Sequence, residues 1–324
     1  MAGIWSRGAA IVAAFLTVAM PAAAQQWPAK PITLVVGSAP ASAPDVYARV
    51  VAEGLTRTMG WQVLVENRTG ANGNVAAEHV INQPADGYTL WVPAQSQIEI
   101  NPSAYASLRW KQSDFVGVIK GAESPVVLVV HNTVPAKTLP EVVAWVKANP
   151  GKISYASFSP GTSSHFLGHQ LNERYELDMT HVTFRGSGPQ VQNLVGGHVL
   201  IGFSQIQTGL PHIKSGKLIP IAVTSETRWR QLPETPTMAE LGLKEFTATT
   251  WFGVLAPAKI PPDVLATLVE GMKKAHADPA VKAKLEDMGF DVPAQTGAAL
   301  AASIKAGTER WAKLVKSTGF KAAD

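Results

Sequence analysis

The chain has 324 residues with 28 basic and 24 acidic side chains, a formal charge of +4. It contains no cysteine, which excludes disulfides and thiolate metal sites. Its basic residues form no block, so nucleic-acid binding has no footing, and a chain of this length can bury a core without covalent staples and normally divides into more than one domain.

The first 24 residues read as an export leader. Arg7 is their only charge, and it precedes an uncharged run holding Ile11, Val12, Phe15, Leu16 and Val18. That run suits a signal-peptide core and is too short to span a bilayer. Ala22, Ala23 and Ala24 follow, so cleavage is expected before Gln25, leaving a charge of +3. An N-terminal membrane anchor is the competing reading, and the short core weighs against it. No cysteine follows the run, which closes the lipid-anchored route. No later stretch has the length of a membrane-spanning helix, so the expected product is soluble and periplasmic.

From residue 31 onward strand-like and helix-like segments alternate. Residues 32–36 form an apolar β-type run ending in a loop over 37–44. A helix is predicted from Asp45 to Met59, with Val46, Val50 and Leu55 at helical spacing and Gly60 just past its end. Residues 62–66 are a second strand, and Asp86-Gly87 turns into a third over 88–92. The run 126–130 is apolar throughout, as in a strand of a parallel sheet buried on both faces. Thr138, Pro140 and Glu141 open a helix through Trp145 to about Ala148. Strand 153–156 leads to a helix capped by Thr162 or Ser163 and running to about Glu173. Strands are expected at 181–184, 199–203 and 219–224 with Gly- and Pro-containing turns between them, and at 251–255 before a mostly helical remainder to Lys316, broken near 289–294. Such alternation argues a parallel, doubly wound α/β architecture.

Ten short motifs share one source. They begin with Trp27-Pro28-Ala29-Lys30-Pro31-Ile32, then Glu66-Asn67-Arg68 through Gly70 to Gly73-Asn74, and Asp86-Gly87-Tyr88-Thr89-Leu90. Asn149-Pro150-Gly151-Lys152, Tyr155-Ala156-Ser157 and Gly161-Thr162-Ser163-Ser164-His165 follow. Arg185-Gly186-Ser187-Gly188-Pro189, Leu210-Pro211-His212-Ile213, Leu232-Pro233 with Pro236-Thr237, and Trp251-Phe252-Gly253-Val254-Leu255-Ala256-Pro257 complete them. In this order, over nearly the whole mature chain, they resemble the substrate-binding proteins of tripartite tricarboxylate transporters, the Bug receptors. The resemblance implies a type II periplasmic-binding-protein fold, two doubly wound α/β lobes joined by two crossover strands. Lobe one is then expected at 25–124 plus 249–324 and lobe two at 125–248, with crossings near 124–130 and 248–254. It implies no enzymatic activity and no cofactor. The expected partners are a small di-, tri- or aromatic carboxylate and the membrane subunits of such a transporter, with the receptor acting as a monomer.

An anion site has a physical argument of its own. The loop from Ser38 to Pro44 leads into a helix start, and so does Gly161 to Ser164; each start offers free backbone N–H groups and the positive end of a helix dipole. Ordinary helix capping accounts equally well for either loop alone. The resemblance places both loops on opposite walls of a cleft, and the ligand-binding residues expected there are Ser38, Ala39, Ser42, Asp45, Gln95, Ser96, Ser157, Thr162, Ser163, Ser164, His165, Phe184 and Ser204. The chain departs from the family in three places. Ala41, Ser42 and Ala43 stand where the first loop usually has glycines, Phe184 where tyrosine is common, and Ser204 where many relatives have aspartate. Replacing that carboxylate by a hydroxyl removes a charge that repels anions.

Other chemistries have less support. His165, His169 and Glu173 share one helix face and resemble part of a zinc site, but no strong ligand from elsewhere in the chain can be named to complete it. Gly-x-Ser-x-Gly does not occur, and Gly70 to Asn74 is no dinucleotide fingerprint because Asn72 replaces its second glycine. Glu66, Asn67 and Arg68 are expected to fix the loop that follows, and Trp61, Trp91, Trp145 and Trp311 to pack cores. A sensor that presents its closed form to a membrane signalling protein is the main functional alternative.

Overall fold

The computed structural model describes residues 27–322. The expected leader and its cleavage point therefore lie outside the described residues. In chain order the elements are β1 (Ile32–Val36), α1 (Ala43–Met59), β2 (Val63–Asn67), α2 (Asn74–Ile81), β3 (Thr89–Val92), α3 (Gln95–Glu99), α4 (Asn101–Ala104) and β4 (Phe115–His131). Next come α5 (Leu139–Lys147), β5 (Ser154–Ser157), α6 (Ser163–Tyr175), β6 (Thr180–Thr183), α7 (Ser187–Val195), β7 (Ile201–Gln205), α8 (Ile206–Lys214) and β8 (Leu218–Val223). The chain closes with β9 (Thr249–Pro257), α9 (Pro262–Ala277), α10 (Pro279–Asp287) and α11 (Gly297–Thr318).

Local chemistry explains the helix ends. Gly60 takes a left-handed conformation (φ 69°) and returns its N–H to the Thr56 carbonyl, stopping α1 where the sequence places the stop. Thr138 and Glu141 form a reciprocal capping box at α5: the Glu141 N–H donates to Thr138 Oγ1 and Glu141 Oε2 accepts from the Thr138 N–H. Two helices replace expected turns. In α7, Pro189 falls in the first turn, where a missing N–H costs nothing. In α8, Pro211 lies inside, and the helix persists with Ile206, Gly209 and Leu210 buried.

Strand order is β2-β1-β3-β9-β4-β7-β5-β6, with β8 also on β4. The parallel sets are β2-β1-β3 on one side and β7-β5-β6 on the other. β4 joins them. Its first part, Phe115 to Pro125, pairs antiparallel with β9, and its second, Val126 to His131, pairs antiparallel with β7 and β8. The run 126–130 is thus buried on both faces as expected, at 0–1% exposure, but in an antiparallel setting. An apolar run reports two covered faces and carries no record of strand direction.

The cores divide the same way. Ile32, Leu34, Tyr47, Val51, Leu55, Val118, Phe252 and Met272 belong to one cluster, and Val126, Leu128, Leu139, Tyr155, Phe203 and Phe246 to another. These are two lobes bridged by β4 and by the passage from β8 to β9, where the Ala248 N–H donates to the Thr224 carbonyl. Helix α11 touches both: Trp311 and Val315 pack with Ile100 and Ala104 of one lobe and Phe166 of the other. No helix among the described residues is long and apolar enough to cross a membrane.

Candidate functional site

The lobe-one wall begins at the end of β1. At Gly37 a Cβ would stand 2.8 Å from the Gly73 Cα, so only glycine allows this loop to lie against the one after β2. The Asn67 amide donates to the Ser38 carbonyl (2.9 Å) and to Asp45 Oδ1 (2.9 Å). Asp45, 1% exposed, also accepts from the Ala41 N–H (2.8 Å) and from both Nε and Nη2 of Arg49. Burial pushes its carboxyl up, and these hydrogen bonds outweigh burial and hold it below the usual carboxylate range. Asp45 thus shapes the loop from beneath; its oxygens are occupied within the protein. Ala39 and Pro40 are exposed at the tip, and the Ser42 hydroxyl is buried with no hydrogen-bond partner.

Ala41 holds φ 61°, in the left-handed region that favours glycine. The bond to Asp45 keeps it there against a strain of about 1 kcal/mol. Ala41→Gly is therefore expected to stabilise the protein by about 0.5–1 kcal/mol, raising the thermal midpoint by about 1–2 °C. A lowered midpoint would show that the methyl group packs usefully.

The start of α3 extends this wall. Gln97 Oε1 accepts the Ala94 N–H (3.2 Å), and its Nε2 reaches the Gly37 carbonyl and Ser38 Oγ, each at 3.5 Å. Gln95 is buried with its Nε2 on Glu99 Oε2 (2.7 Å), and Ser96 is 8% exposed.

The lobe-two wall is a knot of hydroxyls after β5. Ser157 Oγ lies 2.7 Å from His181 Nε2, and Ser164 Oγ accepts the Phe158 N–H (3.1 Å). Thr162 Oγ1 donates to the Ser159 carbonyl (2.7 Å) and sits 3.0 Å from Ser164 Oγ. The Phe184 N–H is bound to the Ser157 carbonyl (3.0 Å), which ties the loop after β6 to this knot. His165 accepts the Gly161 N–H at Nδ1 (3.2 Å) and stacks on His181 with ring centres 4.0 Å apart. Burial first, then the neighbouring His181 and His169, depress the His165 pKa to about 3; burial depresses His181 to about 4. Both imidazoles are neutral at pH 7. His165 stacks with His181 and Phe166 and meets the edge of Phe320, and among the described residues no group of three His, Asp or Glu side chains is placed to hold a metal ion.

The two walls meet on β9. Ser163 Oγ lies 3.4 Å from Thr250 Oγ1, and two residues on, Phe252 bridges to Ala94, the residue before Gln95. The first residues of α3 and α6 thus flank one short stretch of crossing strand. Ser204 has no exposed surface, donates to Gln190 Oε1 of α7 (3.4 Å) and lies beneath Gly209 of α8. Thr250 and Gln97 were not predicted. Thr250 precedes the Trp251-Phe252-Gly253 motif, and Gln97 lies two residues after Gln95; no residue-type signal marks either.

Asp45 and His165 are the ionisable members of the predicted set. The first is paired with Arg49 and the second is uncharged, so these walls offer hydroxyls, amides and helix starts. Such walls suit an anion held by backbone dipoles, or a neutral polar solute.

The model of the tripartite tricarboxylate transporter family receptor matches residues 47–320. Protein BugT of Bordetella pertussis (strain Tohama I) is 34% identical over 94% of each chain. An R. palustris protein solved with adipate superposes with a TM-score of 0.85 at 27% identity, covering 91% of this chain and 99% of that one. MatC from Rhodopseudomonas palustris, solved with bound malate, gives a TM-score of 0.81 at 29% identity, covering 89% and 100%.

Proposed function

Because the chain belongs to the tripartite tricarboxylate transporter receptor family, a family of solute-binding receptors and not of enzymes, we propose that it captures a small organic di- or tricarboxylate in the periplasm and delivers it to the membrane subunits of such a transporter. One observation carries this reading: the hydroxyl-rich start of α6 and the start of α3 flank the short stretch Thr250 to Phe252 of β9. A carboxylate there meets N–H and O–H donors and the positive end of α6, while the oxygens of Asp45 and Glu99 are turned to donors within the protein. The acids seen in the two R. palustris proteins are of this class. We place the lobe boundaries near 124/125 and 248/249, a division supported by the separate cores on either side. Ligand binding then closes one lobe on the other about these two passages. The leader-like first 24 residues support export.

A thermal-shift screen against mono-, di- and tricarboxylates tests the reading. A ligand at 100 times its dissociation constant adds about 2.7 kcal/mol, an upward shift of roughly 5 °C for a chain of this size. A shift with zinc or an amine, and none with any carboxylate, would replace this function with another.

A further inference from the structure

Glu99 closes α3 and is 3% exposed. Its Oε2 accepts from Gln95 Nε2 (2.7 Å) and its Oε1 from Trp251 Nε1 (2.8 Å). One carboxylate thus joins the Gln95 end of the candidate site to the crossing strand β9. Gly307 of α11 lies directly over it, where a Cβ would come within 2.3 Å of its carboxyl carbon. A cavity of about 120 Å³, lined by Lys120, Thr249, Ser303 and Arg310 among others, adjoins the carboxylate and is large enough for several waters.

The charged groups around it are held by other partners. From β4, Lys120 pairs with Glu123 (2.5 Å); from α11, Arg310 donates to the Glu245 carbonyl (3.1 Å). α4 brings no ionisable residue, and β9 brings the Trp251 indole. Among the described residues no ion pair includes Glu99. Burial is the dominant influence on it, only partly offset by Gln95, Trp251 and the more distant Lys120 and Arg310, and its pKa is pushed up to about 7.

We propose that Glu99 is a proton-responsive positioning residue: uptake of a proton by its carboxylate turns over the Gln95 amide and strengthens carboxylate binding in the cleft. The reasoning is a count of donors. The ionised carboxylate accepts from two N–H donors. Once protonated it has one accepting oxygen and one O–H, and the O–H needs an acceptor. Trp251 has only a donor and is fixed by its strand. The Gln95 amide can rotate by half a turn and offer Oε1 to the new O–H. Its opposite edge then changes from an oxygen to an NH2, so that a carboxylate bound beside Gln95 meets a donor in place of an acceptor. By linkage, a bound carboxylate raises the proton affinity of Glu99 by the same factor.

This inference rests on the reading of Gln95 as part of a carboxylate site. Glu99→Gln mimics the protonated state: its Oε1 accepts from Trp251 and its Nε2 donates to the reversed Gln95. Two measurements on the full mature chain test it. In the ligand-free protein, the Trp251 indole N–H resonance, assigned by its loss in Trp251→Phe, should titrate between pH 6 and 8 and become flat in Glu99→Gln. By calorimetry with malate and with adipate, affinity should be about three- to tenfold tighter at pH 6.5 than at pH 8, and in Glu99→Gln tight at both. An indole resonance that does not titrate overturns the proposal whatever binds. An indole that titrates without any change in affinity overturns the coupling. If neither acid binds at any pH while the indole titrates, the carboxylate reading has failed, and the coupling falls with it.

Discussion

Acidification from pH 7 to pH 5 is expected to remove a large part of the stability of this protein. His165 and His276 are buried and His181 is half-buried, all as neutral imidazoles; their pKa values are depressed, chiefly by burial, to about 3 for His165 and about 4 for the other two. His276 is the clearest: it is 2% exposed, with Nδ1 on the Met272 carbonyl (2.7 Å) and Nε2 on the Tyr47 hydroxyl (3.1 Å). Each group binds its proton more tightly in the unfolded chain, near pH 6.5. The stabilisation is therefore complete above that pH and is lost as pH falls toward the folded values. At pH 5 the two buried imidazoles cost about 2 kcal/mol each and the half-buried His181 less, together about 4–5 kcal/mol, a large part of the stability of many domains. Glu99 runs the other way. Its raised pKa disfavours the folded state as pH rises through 7, so acidification returns about 2 kcal/mol. Urea unfolding at pH 7, 6 and 5 measures the balance, and Glu99→Gln should steepen the acid loss by removing the opposing contribution. Equal midpoints at pH 7 and pH 5 would show that these imidazoles reach water.

Ser204→Asp is expected to damage the fold before it affects any ligand. Ser204 is wholly buried on β7, and its hydroxyl donates to Gln190 Oε1. Gln190 is itself fully buried, with its Nε2 shared between the Ala156 and Phe203 carbonyls at 2.9 Å each, so it cannot turn to donate without breaking both. An aspartate there would face an acceptor with no cation beside it, at a cost of about 3–5 kcal/mol. Ser204→Ala loses one neutral hydrogen bond, about 1 kcal/mol. Chemical unfolding of both variants separates the cases. If aspartate is as well tolerated as alanine and weakens only carboxylate binding, this position opens to the cleft.

The architecture is written in periodicities that any stretch of this chain displays by itself. Val46, Val50 and Leu55 make one apolar helix face, Gly60 supplies the left-handed stop, and the run 126–130 is apolar throughout, because helix spacing, capping and two-sided burial are local or nearly local demands. The motif order from Trp27 to Pro257 likewise pointed to the receptor family. Direction of pairing was not legible: Val126 to Val130 would have the same composition in a parallel strand, and only contact with β7 and β8 makes it antiparallel. Nor was the fate of single polar side chains. Asp45 looks like a ligand contact in sequence, yet its oxygens are taken by Arg49, Asn67 and the Ala41 N–H, and the Gln95 Nε2 is committed to Glu99. Thr250 gains its place because β9 returns to the boundary between the lobes beside Ser163, 87 residues away in the chain. A side chain's hydrogen-bonding partners, and hence its charge and its freedom to meet a solute, are set by residues remote in sequence, and for this protein the tertiary structure alone decided them.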